Sequence, residues 1–423
     1  MWAATAVMAL TIGPAAAQQL DPKALAAKVE QDLVAIRGLP FKQSVPFEKQ
    51  SPEEFGRHLD REMEQVVPKN ISEHFGKIVQ RLGLYRGPEI QDFRGMMRTV
   101  MTSQAAAYYD PETKRFYILS ETGDELELGV LYSHELYHGI QDQYFDLTRY
   151  MPPGKGKLNG DEELARQAVV EGEATYIHTL WVMRRMTNAL PPRGLLGPVI
   201  SMQANLDINQ LRGMLGESAE RAMAEIDSIP PFILEVLLGN YLKGAAFIFA
   251  VQEPGWSAVE KLYKEYPPQS TEQILHPEKW VAREAPSSIS WPDFSKVPQL
   301  RDWELLDDDV LGEIQWRIVF KVQGLQAEAD EAAAGWDGDR YAVFRRKGSS
   351  ETLLLMRASW DSEAEATQFV NAYRRAQAAK YEGASDPVRL EQQGTDVFIV
   401  EGGRAADADA LLKVVRESRK KRG

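Results

Sequence analysis

Residues 131–147, "LYSHELYHGIQDQYFDL", carry two of the chain's six histidines, His134 and His138, with Glu135 directly after the first. On a helix, residues i and i+4 share one face about a turn apart, so both imidazoles can reach one ion. Glu135 sits about 100° around the helix and can address a water on that ion without binding the metal. This is the chemical content of H-E-x-x-H: two neutral imidazoles hold Zn²⁺, the metal lowers the pKa of a bound water, and the glutamate takes its proton. The plain alternative is an amphipathic helix with two solvated or core-satisfied histidines. Asp142, four residues after His138, argues against it, being placed to accept the imidazole's second N–H and fix its tautomer.

Such a site needs a third ligand from another element. The segment "AVVEGEATYIH", residues 168–178, offers Glu171 and Glu173. Two positions apart on a helix diverge by about 200°, so only one can face the ion. Glu173 shares its side with Val169, Tyr176, Ile177 and Leu180, and Glu171 shares its side with Ala168, Thr175 and His178. The small, polar side suits a metal cleft better, which favours Glu171 and leaves Glu173 as a supporting or substrate-facing acid, although periodicity alone leaves both open.

H-E-x-x-H followed on the next helix by Glu-Gly-x-Ala resembles the gluzincin zinc metallopeptidases. The resemblance implies His134, His138 and Glu171 as zinc ligands and Glu135 as general base. The fuller strings "SHELYHGIQDQYFDL", "VVEGEATY" and "YPPQSTEQILHPEKW" look like a group of exported bacterial gluzincin-like proteins, over about Ala105 to Trp280, with weaker echoes in "AAAGWDGDRYAVF". The substrate-binding signatures of aminopeptidases and thermolysin-type enzymes are absent.

Two further features would complete a peptidase site. An edge strand beside the motif helix could pair with an extended substrate, and Arg115–Leu119 is the candidate. A donor must also stabilise the tetrahedral oxyanion, with His276 and Tyr241 as candidates. His178 reads as a supporting residue, and His58 and His74 as surface helix residues.

Beyond the motif, the composition is that of a soluble globular protein, 44% hydrophobic and 26% charged. A net charge of −13 argues against nucleic acid or an anionic membrane as partner. Absence of cysteine removes disulfides and thiolate ligands, so a metal site must use His, Asp and Glu. The opening "MWAATAVMALTIGPAAAQQLDP" has the apolar run and small-residue cleavage site of a secretory signal, without a basic residue before it. Export to the periplasm or medium is therefore expected, with no membrane span elsewhere, since no other stretch reads as reaching the required ~20 apolar residues.

The expected class is α+β. Residues 1–17 are read as signal peptide, 18–98 as an N-terminal helical cap and 99–290 as a mainly helical zincin-like core with a small mixed sheet. Residues 291–423 are read as a C-terminal α+β domain of possible ferredoxin-like type, with strands in "IQWRIVFKVQG", "DRYAVFRRKG", "TLLLMRASW" and "TDVFIVEGG". The basic tail "RESRKKRG" reads as a solvated helix end. Two functions fit: an exported zinc metallopeptidase acting on peptide or protein, or a catalytically inactive zincin shell that binds a cell-envelope partner.

Overall fold

The motif helix runs from Glu125 to Phe145. It starts at a capping box: the Asp124 carboxylate accepts from the N–H groups of Leu126 and Glu127, and the Glu127 side chain accepts from Asp124 N. It ends at Asp146, in the left-handed region with φ 52°. Residues 131–142 are buried without interruption, so every polar side chain there needs a partner inside the protein.

The structure is a computed structural model describing residues 21–120, 124–206, 210, 229–381 and 388–423. The signal segment expected over 1–17 lies outside these residues. The protein is α+β. It separates into two compact units that interleave along the chain: one ends at Val67 and resumes over Arg94–Leu158 and Ala165–Pro268, and the other takes Pro68–Phe93, Asn159–Leu164 and Gln269–Gly423. This differs from the sequential division expected at 98 and 290. The third N-terminal helix, Lys69–Leu82, packs on strands of the C-terminal sheet rather than with its sequence neighbours, and apolar periodicity cannot say which core a helix joins.

In the first unit, β1 (Phe47–Lys49), β2 (Ala107–Asp110) and β3 (Arg115–Ile118) form a sheet in the order β1-β3-β2. The β2–β3 turn is fixed by Asp110, which accepts from Glu112 N and Thr113 Oγ1, an Asx-type device. Strand β3 is therefore central, antiparallel to β2 and parallel to β1. Arg115–Leu119 is not the free edge expected from the sequence, because the distant segment Phe47–Lys49 pairs with it. Helix Pro22–Arg37 packs on the motif helix. Helix Gly160–Thr187 carries Glu171 and Glu173. Its side-chain cap is Asn159, whose Oδ1 accepts from Glu162 N. Asp161, two residues on, is buried and accepts from Thr271 N and Oγ1.

Residues 231–251 form one continuous helical run, Pro231–Leu238, a π-helical turn Gly239–Lys243, and Gly244–Val251. At 21 residues it is long and apolar enough to cross a membrane, contrary to expectation, yet half of it is buried inside the fold. It crosses the glutamate helix at two glycines. A Cβ on Gly172 would lie 2.2 Å from the Gly244 carbonyl carbon, and one on Gly244 the same distance from Ala168 O. The Gly of the Glu-Gly-x-Ala segment is thus required by close backbone approach.

In the second unit, β4 (Ser288–Ser290) pairs with β10 (Arg419–Lys421), so the tail read as a helix end is partly a strand. The main antiparallel sheet joins β5 (Trp303–Asp309), β6 (Trp336–Arg346), β7 (Thr352–Trp360), β8 (Val388–Gln393) and β9 (Asp396–Gly402) in the order β5-β6-β7-β9-β8. Strands β7 and β8 flank β9 and are joined through helix Glu363–Tyr381. Leu353 and Leu355 of β7 enter a core with Phe398, Val400, Leu411 and Val415. The opposite face buries Trp316, Trp360 and Phe369. Both faces being covered explains the unbroken apolar run of β7. "IQWRIVFKVQG" is not a strand but lies in the helix Gly312–Val322. Its β-branched and aromatic residues favour a strand locally, but Ile314, Trp316, Ile318, Val319 and Phe320 are buried as a helix, with Trp316 Nε1 donating to Asp339.

Candidate metal centre

His134 and His138 project from one side of the motif helix toward Glu171. One ligand atom from each of the three lies within 4.8 Å of the others. The Glu171 Oε2 atom is 3.3 Å from His134 Nε2 and 3.5 Å from His138 Nε2. Among the described residues these form the one group of three or more such side chains close enough to hold a metal ion.

The far nitrogens of both rings are also fixed. His138 Nδ1 is 2.7 Å from Gln141 Oε1. The orientation of that amide is set by its other end, where Gln141 Nε2 donates to Val170 O, Tyr263 OH and Glu173 Oε2. Its Oε1 must then accept, so His138 Nδ1 carries a hydrogen, and Nε2 is the nitrogen left to offer a lone pair to a metal once its own proton is displaced. Asp142, expected in this role, does not fill it. Its carboxylate accepts from Tyr109 OH, Lys114 Nζ and Leu147 N, and the residue three after His138, not four, reaches the ring. His134 Nδ1 lies 3.3 Å from His178 Nδ1, so His178 stands behind one imidazole as Gln141 stands behind the other.

Glu171 and Glu173 separate as their divergence on the helix demands. Glu173 accepts from Tyr137 OH at 2.6 Å, Tyr263 OH at 2.7 Å and Arg37 Nε at 3.0 Å. It anchors the polar layer behind the site and touches His138 only through Gln141. Arg37, Gln141 and Tyr263 were invisible to motif reading, although a Gln three residues after a ligating histidine is a usable signal for a partner.

Glu135 is fully buried. Its Oε2 accepts from Tyr109 N at 2.9 Å, an outward N–H on the free side of β2, and its Oε1 has no hydrogen-bond partner. Burial pushes its pKa up to about 8 in the metal-free protein. Burial pulls His134 down to about 4. It acts on His138 the same way, but the Glu171 carboxylate outweighs it and holds His138 up. Glu171 is depressed because His138 and His134 outweigh the effect of its own burial.

Tyr241 stands on the π-helical turn with its ring stacked over His134, centroids 5.7 Å apart. π-Turns inside helices recur at functional sites because the widened turn redirects one side chain. Burial, then the charges of Glu171 and Glu135, raise the Tyr241 hydroxyl well above its ordinary value, so it stays protonated and able to donate. His276, the other candidate, lies in the second unit, where its Nε2 is 3.1 Å from Glu313 Oε1. His58 is half-buried beside Glu62, not on the surface as read from the sequence.

Residues 303–412 match a family described as a domain of unknown function, DUF8575, a span within the second unit. No curated protein and no solved structure matches the chain.

Proposed function

We propose that this protein is an exported zinc metallopeptidase whose site is His134, His138, Glu171 and Glu135. The supporting observation is the gathering of two Nε2 atoms and one carboxylate oxygen within 4.8 Å, with the partnerless Glu135 Oε1 beside them. The donor set fits the ion: His138 Nε2 is buried without a hydrogen bond, and two imidazoles with one carboxylate suit zinc with a position left for water. The zincin-like reading of the first unit rests on the same motif. In the second unit the β6-β7-β9-β8 order supports a ferredoxin-like arrangement in which the last strand of the usual chain order comes first.

Zinc, when bound, supplies Lewis acidity that lowers the pKa of water and polarises a carbonyl. The chain supplies the rest. Glu135, oriented by Tyr109 N, accepts the proton of the attacking water and passes it to the leaving amine. The Tyr241 hydroxyl donates to the oxygen that gains charge. Gln141 and His178 hold the two rings at their far nitrogens. Strand β3, already paired on both sides, offers no edge to an extended substrate.

One observation favours the second reading, an inactive shell that binds a partner: all four site residues are less than a tenth exposed, so substrate needs an opening of the fold. Incubating wild type and Glu135→Gln with a diverse peptide library, and reading new termini by mass spectrometry, separates the two. Metal-dependent cuts made only by wild type support the peptidase. Silence from both zinc-loaded proteins supports the shell, and equal cutting by both removes Glu135 from the base role.

A further inference from the structure

Glu135 and Asp142 stand seven residues apart on the motif helix, about two turns, so their side chains share one face. Strand β2 packs on this helix, and one of its residues, Tyr109, reaches both carboxylates. The Tyr109 backbone N donates to Glu135 Oε2 at 2.9 Å, and the Tyr109 hydroxyl donates to Asp142 Oδ2 at 2.7 Å. All three residues are buried. Between the two contacts the tyrosine ring passes beside Gly139, its Cε2 atom lying 3.6 Å from where a Cβ would stand.

The far end of this bridge is itself fixed. Asp142 Oδ1 accepts from Lys114 Nζ at 2.9 Å and from Leu147 N at 3.1 Å. Lys114 stands in the β2–β3 turn with φ 58°, a left-handed backbone that side chains with a Cβ rarely adopt. The turn thus carries a lysine where glycine would be less strained, and that lysine, partly exposed, brings its ammonium to a buried carboxylate. Burial, then the charge of Asp142, raise the Tyr109 hydroxyl well above its ordinary value, so it remains the donor. A hydroxyl on a carboxylate at this distance is charge-assisted and stronger than a neutral pair. The N–H that orients Glu135 is therefore tied, through its own side chain, to the helix that carries Glu135.

We propose that Tyr109 is a positioning residue: held at its hydroxyl by Asp142, it keeps its N–H where Glu135 Oε2 must lie, which leaves Oε1, the oxygen without a donor, to accept a proton. Asp142 thereby acts on the base through Tyr109. The proposal deepens the peptidase reading and rests on Glu135 being the proton acceptor. Every residue it uses lies in the first unit.

The test combines amide hydrogen exchange of the full chain with peptide-cleavage kinetics. Exchange is followed at residue 109 and, as a control, at Phe116, its cross-strand partner on β3, whose N donates to Pro46 O. Tyr109→Phe keeps the ring and the backbone and removes only the hydroxyl. The amide of residue 109 should then exchange about tenfold faster, the scale of one hydrogen bond to a charged group, with residue 116 unchanged. Asp142→Asn leaves a neutral acceptor and should give a smaller change in the same direction. In cleavage, kcat of Tyr109→Phe should fall about tenfold while KM and zinc affinity are kept, the split expected when only the transition state is affected. Exchange at residue 109 that is unchanged, or that rises equally at residue 116, overturns the proposal. So does cleavage in which kcat ignores both variants or KM carries the whole loss. A wild type that cleaves nothing, combined with the selective exchange change, supports the positioning role and removes the peptidase reading.

Discussion

Two fully buried glutamates of this protein differ in how their oxygens are satisfied. Glu401, in the second unit, accepts from Tyr373 OH and Gln377 Nε2 on Oε1, and from Lys380 Nζ and Tyr381 OH on Oε2. Glu135, in the first, accepts one backbone N–H on Oε2 and nothing on Oε1. A buried carboxylate oxygen with no donor costs about 1–3 kcal/mol or more. The protein can satisfy such a group, as Glu401 demonstrates, whereas Glu135 Oε1 stays buried without a donor, as the proposed proton acceptor would. The neighbouring imidazoles of His134 and His138 have their far nitrogens partnered, while their near nitrogens converge on Glu171.

The comparison breaks most visibly at Glu135. Glu135→Gln preserves shape and removes the proton acceptor, so turnover should fall roughly 10²–10⁴-fold with metal retained, as read by single-turnover peptide cleavage. Next in size is Glu173→Ala, which strands Arg37, 1% exposed at its side chain. Leaving a buried charge without its partner costs about 3–5 kcal/mol, and chemical denaturation should register that loss.

At Glu401 burial raises the carboxyl, but Lys380, Tyr373 and Tyr381 outweigh it and hold the pKa at about 2. An acid depressed on folding contributes stability that is fully present above its unfolded value, near 4.3, and lost as pH falls through the folded one. Glu401→Gln should therefore cost about 3 kcal/mol at neutral pH, two pKa units or so at about 1.4 kcal/mol each. The gap to wild type should close between about pH 4 and pH 2, and acid titration followed by circular dichroism measures it. A gap independent of pH would mean that Glu401 is not held ionised. The smallest effect is expected from Gln141→Leu. It frees the His138 ring without removing a ligand and should weaken metal binding about 10–100-fold, measured by competition with a chromophoric chelator.

Much of the site was legible in the sequence because helical spacing is rigid. His134, Glu135 and His138 needed only the i, i+4 rule, and Glu171 with Glu173 only their divergence. Gln141 could not be chosen over Asp142 from spacing, since both are within reach and only the donors on β2 and its turn, Tyr109 and Lys114, decide between them. The β2–β3 turn rests on local side-chain chemistry at Asp110, whereas the pairing of β1 with β3 joins residues about seventy positions apart and leaves no local trace. The segment 314–324 misled because its apolar residues suit either a strand or a helix buried on several sides. The interleaving of the two units was hidden for a related reason, as an amphipathic helix records that it is covered, not by what.

The central claim is that His134, His138 and Glu171 together hold one metal ion. Native mass spectrometry of zinc-equilibrated wild type, His134→Ala, Glu171→Ala and Glu173→Gln tests it directly. One Zn²⁺ per chain is predicted for wild type and Glu173→Gln, with the ion lost from the other two. Zinc retained by His134→Ala, or lost from Glu173→Gln while Glu171→Ala keeps it, would contradict the account.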